Sequence, residues 1–438
     1  MDIATTSLLI VIGLSVLLVI GVPMAFATGA VAAVTALAAF GPTGLTLLAS
    51  RTYTLVSEFV LVAVPMFILM ASILERSGVA RDLFRAMHLL AGGLRGGLGL
   101  QTLGVAVVMA AMTGIIGGEI VLLGVLALPQ MLRLGYDRRL AIGVVCAGGS
   151  LGTMIPPSIV LIIYGLTANV AIGELFIATV MPGLLLAGLY AAYVLVRCHI
   201  DPSLGPPAPL SQRQLTFAEK ISLAKGLVLP ILVVAWVLGT IYAGIASVSE
   251  AAGMGVAGAI ASAVVRRELS WIMVRDALYR TMSTCGLLIW LTIGANALIG
   301  VYNLLGGSRF IQQSVAELPL EPIAIVLLMM LILVVLGLFI DWIGIALLTM
   351  PIFVPVIEQL GYSPVWFGVL FCMNMQISYL SPPFGPACFY LKSVAPPGIE
   401  LGEIFKAMWP FIALQVAGLL LVLVFPSISL WLPRLLYG

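Results

Sequence analysis

The chain has 438 residues, of which 62% are hydrophobic and 9% charged, with a net charge of +2. A soluble domain carries about 25% charge, so twenty Lys+Arg and eighteen Asp+Glu cannot coat a globule of this size. That excludes a soluble enzyme, a nucleic-acid binder and a disordered chain, and leaves lipid as the main solvent. A membrane helix takes about 20 apolar residues, which leaves room for roughly ten crossings. The five cysteines, Cys146, Cys198, Cys285, Cys372 and Cys388, form no CxxC pair and sit in apolar runs, which argues against a disulfide framework. His88 and His199 lie far apart beside basic loops, so no His-based metal site is expected.

Only helices and closed barrels satisfy their backbone in lipid. The apolar runs here are long and do not alternate, so they read as helices. The N-terminus, MDIATTSLLIVIGLSVLL, has no basic n-region and reads as a first membrane helix. Spans follow near 5–23, 24–41 and 57–75, then a polar stretch with Arg76, Arg81, Arg85 and Arg95. Next comes an apolar run of 37 residues, 96–132, whose only charge is Glu119, closed by Arg133, Arg138 and Arg139. A broken span, 140–167, carries GTMIPPS, and span 176–196 leads into a polar stretch, 197–225. Spans near 226–245, 249–265 and 282–303 precede a second apolar run of 36 residues, 322–357, whose only charge is Asp341. After the loop EQLGYSP, another broken span, 364–391, carries SYLSPPFGP, and a last span covers 408–432.

Basic residues mark the cytoplasmic side. The loops around Arg76–Arg95, Arg133–Arg139, Arg197–Lys225, Arg266–Arg280 and Lys392–Lys406 then face inward, and both termini face outward. Arg51 and Arg309 are the outside exceptions; with Glu58 and Glu250, Arg51 reads as a solvated end charge or as part of a docking or gating element. Each long apolar run begins and ends on one side: the first on the basic, cytoplasmic side, the second outside, where Glu358–Pro364 has no Lys or Arg.

The halves align without a gap. Gly118 matches Gly344, Pro129 matches Pro355, Gly135-Tyr136 matches Gly361-Tyr362, Cys146 matches Cys372, Pro156-Pro157 matches Pro382-Pro383 and Tyr164 matches Tyr390. Pro-Pro, Gly-Tyr and Cys at one fixed offset say more than Leu and Val matches in so apolar a chain. Inverted repeats with interrupted helices mark secondary transporters. The fold expected is an all-α polytopic membrane protein of two inverted-topology repeats, each with a Pro-Pro-broken helix and a long apolar run that reads either as two short full spans or as a re-entrant helical hairpin.

Pro-Pro removes two backbone donors and clashes with the preceding turn. At membrane depth the freed carbonyls need a cation, water or substrate; a plain proline kink is the ordinary alternative. Each acid also has two readings. In a surface turn it is cheap and says nothing; at depth it costs about 2.5–3.5 kcal/mol on insertion scales and marks a functional site. The Gly-rich TGIIGGE, Thr113–Glu119, and FIDWIG, Phe339–Gly344, suit a tight turn either way.

Several motifs resemble the large membrane subunit of TRAP (tripartite ATP-independent periplasmic) transporters over nearly the whole chain. They are VPMFILMASILERSGVARDLF, LRGGLGLQTL, GYDRRLAIGVVCAGGSLGTMIPPSIVLIIYG, IGELFIATVMPGLLL, YAGIASVSEAAGMG and PPFGP. The resemblance implies an elevator-type carrier of the bacterial inner membrane, driven by a sodium gradient, with both long apolar runs as re-entrant helical hairpins, one opening to the cytoplasm and one to the periplasm. It needs no cofactor beyond Na+ as coupling ion and performs no enzymatic reaction. A periplasmic binding protein would deliver a small organic acid, and a small four-span membrane subunit would complete the scaffold. Scaffold helices are expected in 1–75 and 176–310, transport core in 76–175 and 311–395, and a closing helix in 396–438. Sodium sites would lie where each hairpin tip meets its broken helix: Gly118 with Gly152, Ile155 and Pro157, largely through backbone oxygens, and Asp341 with Ser378, Ser381 and Pro383. Gly117, Glu119, Ser150, Thr153, Asn374 and Gly385 are expected to line the substrate site. The first tip departs from the family pattern, carrying Ile116-Gly117-Gly118-Glu119 where many relatives have a Ser-rich turn. Glu119, FIDW and SYLSPPFGPACFYL resemble a subgroup associated with keto acids, mannitol or haloaromatic acids.

Two other functions compete. A self-sufficient anion or sodium/proton carrier of similar inverted-repeat build would need no binding protein. An intramembrane enzyme would need chemistry such as an HExxH zinc motif or paired intramembrane aspartates, and neither pattern is present.

Overall fold

The computed structural model describes residues 2–79, 82–83, 93–114, 116–207, 217–317 and 319–437, with backbone alone for 217–227, 230 and 315–316. Arg81, Arg85 and His88, and segment 208–216 of the central polar stretch, fall outside the described residues. Every regular element among the described residues is a helix.

The first three helices are α1 (Ile3–Val19), α2 (Met24–Phe40) and α3 (Thr43–Val56). A 3-10 turn, Phe59–Val62, leads into α4 (Ala63–Arg76). Helices α5 (Gly97–Thr113) and α6 (Gly118–Arg133) form the first hairpin from the first apolar run. The first broken helix is α7 (Arg138–Ser150), a 3-10 turn at Leu151–Thr153, and α8 (Ile159–Ala168). Asp137 starts it by accepting from the backbone N–H of Leu140 at 2.9 Å. Then come α9 (Ile172–Ile200), α10 (Phe217–Tyr242), α11 (Val248–Val265), α12 (Trp271–Leu304) and α13 (Gly307–Ala316). Helices α14 (Pro322–Gly337) and α15 (Trp342–Gln359) make the second hairpin. The second broken helix is α16 (Pro364–Leu380) and α17 (Pro386–Val394), and α18 (Leu401–Val424) and α19 (Ser427–Tyr437) end the chain.

The breaks fall where the sequence places them, around Pro156-Pro157 and Pro382-Pro383. Four elements differ from expectation. Helix α3 replaces a supposed link between spans, and α13 replaces a supposed loop; both mix polar and apolar residues, so neither stands out as an apolar run. The last span stops at Val424, because Pro426 cannot continue the helix, and α19 starts afresh. Helix α12 begins at Trp271, well before the expected 282, because Ser270 caps it by accepting from Met273 N–H at 3.2 Å.

Helices α7 and α16 form the centre. Every residue of α7 from Leu140 to Ser150 is buried, and so is every residue of α16 from Val365 to Leu380. A helix buried on all faces shows no polar stripe in its sequence. The two broken helices also pack on each other: the Tyr164 hydroxyl donates to the Pro364 carbonyl at 2.6 Å, and its ring stacks on Phe371. The outside is the reverse of a soluble surface. Leu8, Val11, Val19, Trp236, Trp271 and Leu331 stand exposed, as lipid-facing side chains do. Six described helices are long and apolar enough to cross a membrane: Phe59–Arg76, α9, α11, α12, α15 and α18. This is an all-α polytopic membrane fold.

Candidate functional site

The first hairpin tip, 116–118, is a turn with Gly117 buried and Ile116 and Gly118 half-buried. Gly114 (φ +62) and Gly117 (φ +117) take backbone conformations that side chains resist. The α-carbon of Gly114 lies against the Pro157 carbonyl, and the Gly114 carbonyl accepts from Ile159 N–H at 3.2 Å. The hairpin turn therefore meets the first break directly, through backbone, as the family resemblance implies.

Glu119 turns inward from this tip and is fully buried. One carboxylate oxygen contacts the Thr113 hydroxyl; the other has no hydrogen-bond partner among the described residues. A Cβ on Gly152 would sit 2.6 Å from Glu119 Oε1, so this glycine is what admits the carboxylate. Of the two readings of this acid, the buried one holds and the solvated surface turn does not. Beside Gly152, the Thr153 hydroxyl accepts from Gln376 Nε2 at 2.6 Å, which leaves Gln376 Oε1 buried and unpartnered. Two side chains that each keep an orphaned acceptor oxygen thus converge on one 3-10 turn, Glu119 at Gly152 and Gln376 at Thr153. Buried acceptors lacking donors suit a cation or water, so the residues present fit a hard monovalent ion. Among the described residues no group of three or more His, Cys, Asp or Glu could hold a metal.

The remaining first-site residues divide. Pro157 faces the tip through its carbonyl. The Ile155 side chain instead packs on Gly183 of α9, so only its backbone is available. The Ser150 hydroxyl is used locally, donating to the Ala147 carbonyl at 2.9 Å. Gly118 and Gly117 face outward from the turn. Gly118 lies against Glu75 and Arg280, and Gly117 against the ring of Tyr390.

The second tip spans Leu338 to Asp341. Asp341 caps α15, accepting from Ile343 N–H at 3.3 Å, and is half-buried. Ser378 packs its hydroxyl on the α-carbon of Gly337, bringing α16 to this tip. Ser381 ends α16 and donates to the Ile377 carbonyl at 2.7 Å; Pro383 is exposed beyond it. Gly385 (φ +21) is buried beside Phe405. Asn374 does not reach the tip: its Nδ2 donates to the Met330 carbonyl at 2.8 Å, on the first arm of the hairpin, and its Oδ1 is unpartnered.

Sequence reasoning missed Thr113, Glu75 and Arg280. Thr113 is the last residue of α5, and its place six positions before Glu119 in the Gly-rich turn was the available signal. Glu75 and Arg280 are 205 positions apart, and no local pattern links them. Glu250, by contrast, forms a capping box with Ser247, accepting from its backbone N–H at 2.8 Å, as an end charge does.

A family model described as "Tripartite ATP-independent periplasmic transporter, DctM component" matches residues 11–428. This chain belongs to that family. It is 30% identical over 371 residues to the C4-dicarboxylate TRAP transporter large permease protein DctM of Pseudomonas aeruginosa, covering 84% of each chain. It is 31% identical over 357 residues to the isethionate TRAP transporter permease protein DctMQ of Oleidesulfovibrio alaskensis, covering 81% of this chain and 55% of that longer one. Among solved structures, the YdaH transporter of Alcanivorax borkumensis superposes with a TM-score of 0.66 at 17% identity, covering 89% of each chain. That likeness concerns the fold. The chain is a multi-pass membrane component of a bacterial TRAP transporter, and its relatives are permeases.

Proposed function

We propose that this chain is the translocating subunit of a sodium-driven importer for a small organic acid, working by elevator-type alternating access in the inner membrane. A periplasmic binding protein delivers the acid, and a small four-span membrane subunit braces the scaffold. The observation that carries the reading is the meeting of the first hairpin turn with its Pro-Pro break, with buried acceptor oxygens left over there, while the second hairpin meets its own broken helix at Ser378. Coupling ions need such oxygens to replace their water. The names of the relatives, C4-dicarboxylate and isethionate permeases among them, support a small organic anion as cargo.

The contacts of the tips support a reading of the state. Gly118 lies against Glu75, near the end of α4, and Arg280, in the first third of α12, and Gly344 lies against Met24, at the start of α2, on the side that the basic loops assign to the cytoplasm. A cavity of about 910 Å³ opens at the other end, lined by Arg51, Asn169, Ser247, Asn296 and Leu347. We read this as an inward-facing arrangement. Proteoliposomes holding this chain, the small subunit and the loaded binding protein test the function. Uptake is expected only with all three components and an inward sodium gradient. Robust uptake by this chain alone would refute it.

A further inference from the structure

The first tip rests on an ion pair that belongs to neither hairpin. Arg280, on α12, donates from Nη1 to Glu75 Oε2, on α4, at 2.6 Å. A Cβ on Gly118 would lie 2.9 Å from Glu75 Oε1 and 3.0 Å from Arg280 Nη2, so both groups touch the tip at its α-carbon. Gly118 is the first residue of α6, whose N-terminus has no side-chain cap. On the adjoining face, the Tyr390 ring would be 3.2–3.3 Å from a Cβ on Gly117. Tyr390 is also within electrostatic range of Arg280 and Asp341. A carboxylate is therefore already seated between a guanidinium, an uncapped helix start, a bare glycine turn and an aromatic wall.

We propose that this is the subsite for the carboxylate of the transported acid, with Arg280 as its recognition residue and Glu75 as the internal carboxylate that fills the place when no cargo is bound. The proposal rests on the transport reading above. Guanidinium binds planar carboxylates through a two-pronged fork, and it cannot tell a side-chain carboxylate from a free one. Exchange of Glu75 for cargo conserves the charge-assisted bonds of Arg280. A part-exposed ion pair contributes little net stability, so Glu75 yields at small cost. Glu119 lies within electrostatic range of Glu75, so any anion here, resident or cargo, depends on the charge of Arg280. The scaffold origin of Arg280 adds a consequence: the grip exists only while the tip is at this end of its travel.

The test is equilibrium binding to this chain complexed with its small subunit. The probe is the acid released from the cognate binding protein and identified by mass spectrometry. Glu75→Gln is expected to tighten binding about tenfold, since the resident competitor has lost its charge. Arg280→Gln is expected to weaken it by more than about thirtyfold, because the carboxylate loses its charged partner, and Arg280→Lys to weaken it less. The double variant Glu75→Gln/Arg280→Gln leaves no unpaired charge and guards against misfolding; it should bind as weakly as Arg280→Gln. A purely structural ion pair would make both single variants weaken binding alike, and that result, or two silent variants, overturns the proposal. Sodium-driven uptake by the wild-type complex is measured alongside; its absence would count against the transport reading.

Discussion

The two hairpin tips share a plan and use their acids differently. Glu119 follows the first residue of α6, points inward and is fully buried, with one oxygen on Thr113 and the other unpartnered. Asp341 stands one place before α15, accepts from Ile343 N–H and is half-buried. The repeat does not superpose them: in the register that matches Gly118 with Gly344, Glu119 pairs with Ile345 and Asp341 with Ile115. A carboxylate at the cap position spends itself on the helix's own orphan donors. A carboxyl group inside the first turn, facing the core, keeps an oxygen clear of the backbone donors. The two tips thus carry a core-facing acid and a capping one.

The broadest way to break the comparison is topological. If the halves are inverted, single cysteines replacing Arg138 and Tyr362 react with impermeant reagents from opposite membrane faces, an all-or-none difference. Labelling of both from the periplasm would leave two similar halves with no inverted pair of sites.

Crowding each tip sharpens the contrast. Gly152→Ala places a methyl 2.6 Å from the Glu119 carboxylate, and overpacking of that kind costs about 1–3 kcal/mol. Gly344→Ala meets the flexible end of Met24, which can swing aside. The first variant should lower the thermal midpoint of the purified complex clearly more than the second; equal shifts would mean that Glu119 is as free to move as a methionine tip.

The same residues mark what the sequence could and could not disclose. Pro-Pro pairs, long runs with one acid and a gapless repeat are local signals, and the breaks and hairpins stand where those signals put them. The helices α3, α13 and α19 lack a clean apolar run, and none was foreseen. The contacts that give the sites their character are long-range. Gln376 reaches Thr153 across 223 positions and Arg280 reaches Glu75 across 205; only the packing of α7 on α16 and of α4 on α12 creates them. Asn374, picked for its polarity mid-membrane, is held by Met330 away from the tip.

A smaller difference lies in the hydroxyls. Thr113→Val strips Glu119 of its one recorded partner and should cost about 1–3 kcal/mol, the penalty of an unsatisfied buried group. Ser381→Ala removes only a bond to a carbonyl one turn back in α16, with an expected cost at the low end of the about 0.5–1.5 kcal/mol that one hydrogen bond contributes. Denaturation of the purified complex checks both, and a larger loss at Ser381 would reverse the ranking of the two tips.

The central claim, one coupling-ion site at each tip and break, is tested most directly by titrating sodium against uptake in the complete system. Wild type should respond sigmoidally, as two cooperating ions require. Glu119→Gln and Asp341→Asn should each raise the half-saturating sodium concentration, the former more, since its carboxylate has no backbone donor to satisfy it. Half-saturating values unchanged from wild type in both variants, or uptake that proceeds equally without sodium, would contradict the account.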